Sequence, residues 1–241
     1  MFIRLMLVTL LVSMLAACGE EPGPYPWLDE LSAEEARSSG ERLIGLPEGL
    51  HLLEREVSSA KDMFIAIHGY DSGGYEWVYP LKTIDNGETA TYFFRWDWNS
   101  CADTSAETLT EEIGVQLKQT PGIESVRLVG HSYGGILVAA IADNWPYDTP
   151  VEIHVVASPL AGMRGMNQLC DFEMLTSIDE NVRFFEWRTR KELDGAFKDL
   201  DVDPQVIHLT GSTVTRLPET YRDKRLGHNW SISWVADNIA Q

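Results

Sequence analysis

The sequence predicts an α/β domain built on a mainly parallel sheet of about seven strands with helices on both faces. Three observations carry that prediction. From residue 50 onward, short apolar and β-branched runs alternate with segments of helical character. Several of those runs are almost continuously apolar, as strands covered on both faces are. And residues 125 to 141 read as a strand, a glycine-rich turn and an apolar helix in immediate succession. The strands fall near residues 50–57, 63–67, 91–96, 125–130, 151–157, 181–188 and 205–209. Helices fall near 74–83, 104–119, 132–144 and 229–239, the second with Asp103 or Thr104 placed to cap it and Pro121-Gly122 just past its end.

Ahead of this body, residues 1–17 read as a secretory signal. Arg4 gives the positive start, and Leu5 to Ala17 is apolar but shorter than the roughly 20 residues a spanning helix needs. The run ends Leu15-Ala16-Ala17-Cys18, which resembles a bacterial lipobox. That resemblance implies cleavage before Cys18, a lipid on its sulfur and an anchor in the cell envelope, with Gly19 at the next position favouring the outer membrane of a two-membrane cell. Residues 18–30, with Pro22, Pro24 and Pro26 at alternate positions, read as an extended tether, leaving residues 31–241 as one domain.

Composition narrows the function classes. The chain has 241 residues, and 37 Asp and Glu against 19 Lys and Arg give a net charge of −18. A nucleic-acid partner is disfavoured, because neutralising phosphates requires clustered cations. An apolar fraction of 44% supports a large core and argues against disorder. Cys18, Cys101 and Cys170 show no C-x-x-C pairing and no nearby histidine spacing of the structural-zinc kind, so a metal site is not indicated.

The chemistry concentrates at Gly130-His131-Ser132-Tyr133-Gly134, a G-x-S-x-G turn between strand and helix. A serine there projects from a tight turn at a helix N-terminus, where developing negative charge is favoured. Upstream, the apolar strand 63–67 runs into His68-Gly69-Tyr70, and near the end Leu226-Gly227-His228-Asn229 forms a turn before the last helix.

With those three segments the chain resembles the α/β-hydrolase superfamily, and within it the lipases and esterases, over most of residues 50–240. The resemblance implies a serine hydrolase acting on small-molecule or lipid esters through an acyl-enzyme, with Ser132 as nucleophile and His228 as base. It implies that the backbone amides of Tyr70 and Tyr133 hold the oxyanion. His68 and His131 come before the serine or within its turn, whereas the family order is serine, acid, histidine, so both are read as structural. His154 and His208 lie within apolar strands and receive the same reading. The acid belongs between the strand 182–188 and His228. Asp194, followed by Gly195-Ala196-Phe197, has the best position and Asp203 the next. Amidase, thioesterase and acyltransferase chemistry share this triad, and a non-catalytic lipid- or partner-binding lipoprotein is the alternative from another class.

Around the site, Tyr70, Tyr75, Trp77, Tyr79, Trp96 and Trp98 fall near strand ends, either to line a pocket or to pack in the core. Residues 158–180 form an insertion long enough for a small lid, and residues 210–227 are locally basic. Export to an oxidising compartment allows Cys101 and Cys170 to pair. Their parent strands are about 14 Å apart, so pairing requires both loops to lean inward.

Overall fold

The computed structural model describes residues 24–57, 59–163, 170 and 172–240. The strands β1 (Gly49–Leu52), β2 (Asp62–Ile67), β3 (Thr89–Arg95), β4 (Ser125–His131), β5 (Val151–Val156), β6 (Val182–Arg188) and β7 (Thr213–Arg216) form one sheet in the order β1-β3-β2-β4-β5-β6-β7. Only β1 runs antiparallel to its neighbour; every other pair is parallel. The five α-helices among the described residues are α1 (Ala36–Ile44), α2 (Tyr75–Ile84), α3 (Ala102–Gln119), α4 (Tyr133–Ala139) and α5 (Ser231–Ile239).

The two faces of the sheet carry separate cores, sorted by the alternation of each strand. On β2, Phe64 and Ala66 pack with Leu43 of α1, Trp77 and Leu81 of α2 and Val235 of α5. Met63, Ile65 and Ile67 point the other way, toward Leu109 and Ile113 of α3 and Leu137 and Val138 of α4. All these side chains are fully or almost fully buried, which is worth about 2 kcal/mol for each large aliphatic one. No helix among the described residues is long and apolar enough to cross a membrane.

Four expectations are corrected. The segment 205–209 is not a strand. Ile207 and Leu209 are buried in the core as its apolar pattern requires, but Gln205 turns its side chain onto Thr189, and β7 forms eight residues later. The first strand stops at Leu52 because Glu54 spends its carboxylate on the Thr91 N–H. Helix α3 starts at Ala102, so Cys101, not Asp103 or Thr104, is its cap residue. Residues 24–30 are packed and not a free tether: the Tyr25 hydroxyl donates to Leu52 O at 2.8 Å, Leu28 is buried, and Arg42 pairs with Glu30 at 2.9 Å.

The locally basic stretch folds into a hairpin of β8 (Thr220–Tyr221) and β9 (Lys224–Arg225). Its Arg222 pairs with Asp237 at 3.3 Å, while Arg216 of β7 reaches Asp203 at 3.3 Å. Of the 158–180 insertion, residues 164–169 and 171 lie outside the described residues; Phe172, Leu175 and Ile178 pack against the α3 and α4 core. The signal segment 1–17 and Cys18 also lie outside them.

Candidate active site

Ser132 stands between β4 and α4 with φ 53° and ψ −119°, a positive φ in a non-glycine residue. Its N–H is tied to Val156 O of β5 at 2.9 Å, and its carbonyl accepts from Gly135 N at 3.0 Å. The turn closes only because its neighbours lack side chains. A Cβ on Gly134 would lie 2.4 Å from His68 O and 2.5 Å from Ile67 O. Strain of this kind persists only where the surroundings over-determine it.

The loop after β2 lies directly against this turn. A Cβ on Gly69 would stand 2.9 Å from His131 O and 3.0 Å from the Ser132 Cβ. Tyr70 follows with its side chain exposed, and Asp71 takes a positive φ of 51°. Tyr133 opens α4, so its N–H has no acceptor within the helix. Its ring packs on Trp96 with centroids 5.1 Å apart, and its hydroxyl donates to Ser100 O at 3.3 Å. Sequence reading passes over Glu76, which is buried just past this loop. It accepts a bond from the Ser72 hydroxyl, whose oxygen in turn accepts Gly74 N at 3.1 Å. Burial pushes the Glu76 carboxyl above its usual range.

Asp194 and His228 meet on the other side. Asp194 follows β6 through a short 3-10 turn (Lys191–Leu193) and is completely buried. His228 Nδ1 lies 3.0 Å from its Oδ2 and 2.9 Å from its Oδ1, and Ala196 N donates to Oδ1 at 2.8 Å. The ring of Phe197 stands edge-on to His228 with centroids 5.1 Å apart. His228 is joined to the elbow through His131, whose Nε2 donates to the His228 carbonyl at 3.2 Å and whose ring lies 4.6 Å away. Asp203 does not take this place. Its Oδ1 accepts both the N–H and the side-chain amide of Gln205, at 3.1 and 2.9 Å.

The remaining histidines occupy other surroundings. His68 is buried with Nδ1 3.0 Å from Gly69 O, and its Nε2 accepts Trp96 N at 3.3 Å. Burial pushes its imidazole down to about 4. His131 is likewise held well below its usual range by burial. His154 accepts from Trp187 Nε1 at 3.0 Å, stacks on Phe185, and is pushed down by burial to about 3. His208 is exposed on the irregular segment before β7.

Cys101 and Cys170 form a disulfide with Cα atoms 5.6 Å apart. It ties the insertion to the start of α3, beside the Tyr133 hydroxyl, which lies 4.0 Å from the Cys170 sulfur. Of the aromatic residues singled out in sequence, Trp77 and Trp96 are core, and Tyr79 donates to Asp237 at 2.5 Å. Tyr70 and Tyr75 are the two left exposed; Tyr75 accepts a hydrogen bond from Asn229 Nδ2 at 3.2 Å, next to His228. A groove of about 660 Å³ runs along the outer side of α3 and α4, but no triad candidate lines it. No cluster of His, Cys, Asp and Glu among the described residues is arranged to hold a metal.

No family model matches the sequence, and no curated protein matches it. Solved structures do. Est1E from Butyrivibrio proteoclasticus is similar with a TM-score of 0.54 and 11% identity, over 79% of this chain and 90% of that one. A protein of Xanthomonas campestris described as an α/β serine hydrolase without a lid is similar at 0.52 and 12%, over 79% and 84%. An α/β serine hydrolase homologue from Coxiella burnetii is similar at 0.53 and 12%, over 79% and 89%. At these identities the likeness speaks for architecture, and together with the sheet order and the helices on both faces it establishes that this chain has the α/β-hydrolase fold.

Proposed function

We propose that the protein is a serine hydrolase that cleaves carboxylic esters through an acyl-enzyme, with Ser132, His228 and Asp194 as its triad. The observation that carries this reading is the bond between His228 Nδ1 and the buried Asp194, on the same sheet edge as the strained Ser132. A proton held on Nδ1 leaves Nε2 free to accept one from Ser132. The Ser132 Oγ then bonds to the carbonyl carbon as its proton passes to Nε2. The Tyr70 and Tyr133 amides receive the charge that develops on the carbonyl oxygen. The imidazolium returns its proton to the leaving alkoxide as the ester C–O bond breaks. Water repeats the sequence, releasing the acid and restoring Ser132.

The structural neighbours described as serine hydrolases support this chemistry, and the exposed Tyr70 and Tyr75 offer an open aromatic border to a small-molecule or lipid ester. In this reading Cys18 carries a lipid that holds the enzyme on the bacterial envelope, facing the periplasm or the exterior. The test is incubation of the full chain with a fluorophosphonate probe followed by peptide mass spectrometry. The expected result is modification at Ser132, absent in Ser132→Ala and in His228→Ala. A folded protein left unlabelled in detergent, or labelled equally well as His228→Ala, removes the triad. The same spectra read the N-terminal peptide, where an acylated Cys18 is expected and an unprocessed Met1 start removes the anchor.

A further inference from the structure

We propose that Thr189, clamped by Gln205, is a positioning residue of the triad: its hydroxyl fixes the Asp194 carboxylate and, through it, His228. The inference rests on the reading of Ser132, His228 and Asp194 as a triad, and deepens it. Thr189 is completely buried and is the first residue past β6. Its Oγ1 donates to Asp194 Oδ2 at 2.5 Å, and His228 Nδ1 faces both oxygens of that carboxylate, 3.0 Å from Oδ2 and 2.9 Å from Oδ1. With Ala196 N on Oδ1, the buried carboxylate has three donors, and only the Thr189 hydroxyl reaches it from the body of the sheet.

Sheet geometry explains why a clamp is needed. The last partners of β6 and β7 are Arg188 and Arg216, and the Leu217 N–H closes on Arg188 O. Thr189 therefore has no strand beside it on that side, and its main-chain groups need partners because they are buried. Gln205 supplies them. Its Oε1 accepts Thr189 N at 2.8 Å, and its Nε2 donates to Thr189 O at 3.2 Å, so one side-chain amide pairs both main-chain groups as a neighbouring strand would. Gln205 is itself held by Asp203, which Arg216 anchors to β7. A connected line of bonds thus runs from Arg216 through Asp203, Gln205 and Thr189 to Asp194 and His228. Asp203, second choice for the acid, is the anchor of the line.

Threonine suits this position because two substituents on Cβ restrict χ1, so a fixed backbone fixes the direction of the hydroxyl. Valine keeps the shape and removes the donor. Without that donor the Asp194 carboxylate can turn about its own side-chain bond, and the Nδ1–H it orients is no longer held in line. It also becomes a stronger acceptor toward His228, which favours the imidazolium.

The experiment measures the rate of Ser132 phosphonylation by the fluorophosphonate probe against pH, in wild type, Thr189→Val, Thr189→Ser and Gln205→Met. Thr189→Val is expected to slow labelling roughly ten- to a hundredfold, as a small misplacement of a reacting group does. Its acid limb should move to higher pH, and Thr189→Ser should recover most of the rate. Gln205→Met should lose rate with the hydroxyl still present, and it decides the matter if Thr189→Val does not fold. A folded Thr189→Val with wild-type rate and profile overturns the proposal, as do equal losses in the Val and Ser variants. If instead His228→Ala labels like wild type, the triad reading fails, whatever the Thr189 variants do.

Discussion

The two halves of the candidate site are built by different means. Ser132 and the loop from His68 to Tyr70 are placed by main chain: a positive φ at Ser132, parallel pairing of β2 with β4 up to Ile67 and Gly130, and glycines at points of backbone contact. Asp194 and His228 stand on irregular chain and are placed largely by side chains, through Thr189, Gln205 and the Phe197 ring, with the Ala196 N–H as a main-chain donor on the carboxylate. The first arrangement tolerates almost no added atom. The second tolerates atoms but depends on particular donors, and this difference decides what each half does when changed.

The largest expected effect comes from adding one carbon on either side of the comparison. In Gly134→Ala the new Cβ meets two main-chain carbonyl oxygens, at 2.4 and 2.5 Å, so β2 and α4 must separate. A cost of about 3 kcal/mol or more is expected, read as a melting temperature lower by on the order of 10 °C, together with loss of Ser132 labelling. The matching change next to the acid is Gly195→Ala, whose Cβ has nothing within 4 Å. It should alter stability by less than about 0.5 kcal/mol and leave labelling intact. Equal damage from the two variants would break the comparison.

The same contrast explains what was legible in the sequence. Glycine spacing around Ser132, the apolar runs of β2 to β6 and the His228 turn before α5 are local patterns, and each specifies its own backbone. The position of Asp194 just after β6 marks it in the sequence, while its partners leave no mark there. Thr189 and Gln205 gave no signal, because neither type is unusual in a loop and their pairing spans 16 residues of irregular chain. The apolar alternation of 205–209 predicts a strand, and Ile207 and Leu209 are buried as that alternation implies. Burial was right and pairing wrong, since periodicity reports which side chains face the core and not where main-chain bonds go. Helix α1 carries little apolar pattern, because it lies in an acidic stretch where Leu43 is its one fully buried large side chain.

Acid should destabilise the fold through its buried histidines, two of which lie in the main-chain half. His68 and His131 are buried there, and His68 is pushed down to about 4. A histidine whose folded value is depressed leaves the unfolded chain to bind the proton first. The stability it protects is whole above about 6.5 and is lost as pH falls toward 4. His68 alone should remove about 2 kcal/mol between pH 7 and pH 5. His68→Gln, which keeps a donor for Gly69 O and an acceptor for Trp96 N, should shrink that pH dependence by the same amount, measured by urea unfolding at the two pH values. An unchanged dependence would mean that the imidazole is already protonated or exposed in the folded protein, and the tight packing of this half would be wrong.

The smallest effect concerns the exposed one of the contacts across the site, where Tyr75 at the start of α2 meets Asn229 beside His228. The bond is 3.2 Å long and exposed, so water replaces it readily once it is removed. Tyr75→Phe keeps the ring and deletes the acceptor. Its stability should change by less than about 0.5 kcal/mol, and its rate of Ser132 phosphonylation should stay within about twofold of wild type. That outcome would mean that His228 does not rely on Tyr75 and takes its position from Asp194, Phe197 and the His131 ring that reaches its carbonyl. A tenfold slowing with an unchanged melting temperature would mean that the main-chain half also holds the base, through Tyr75 and Asn229, and the division between the halves would have to be redrawn there.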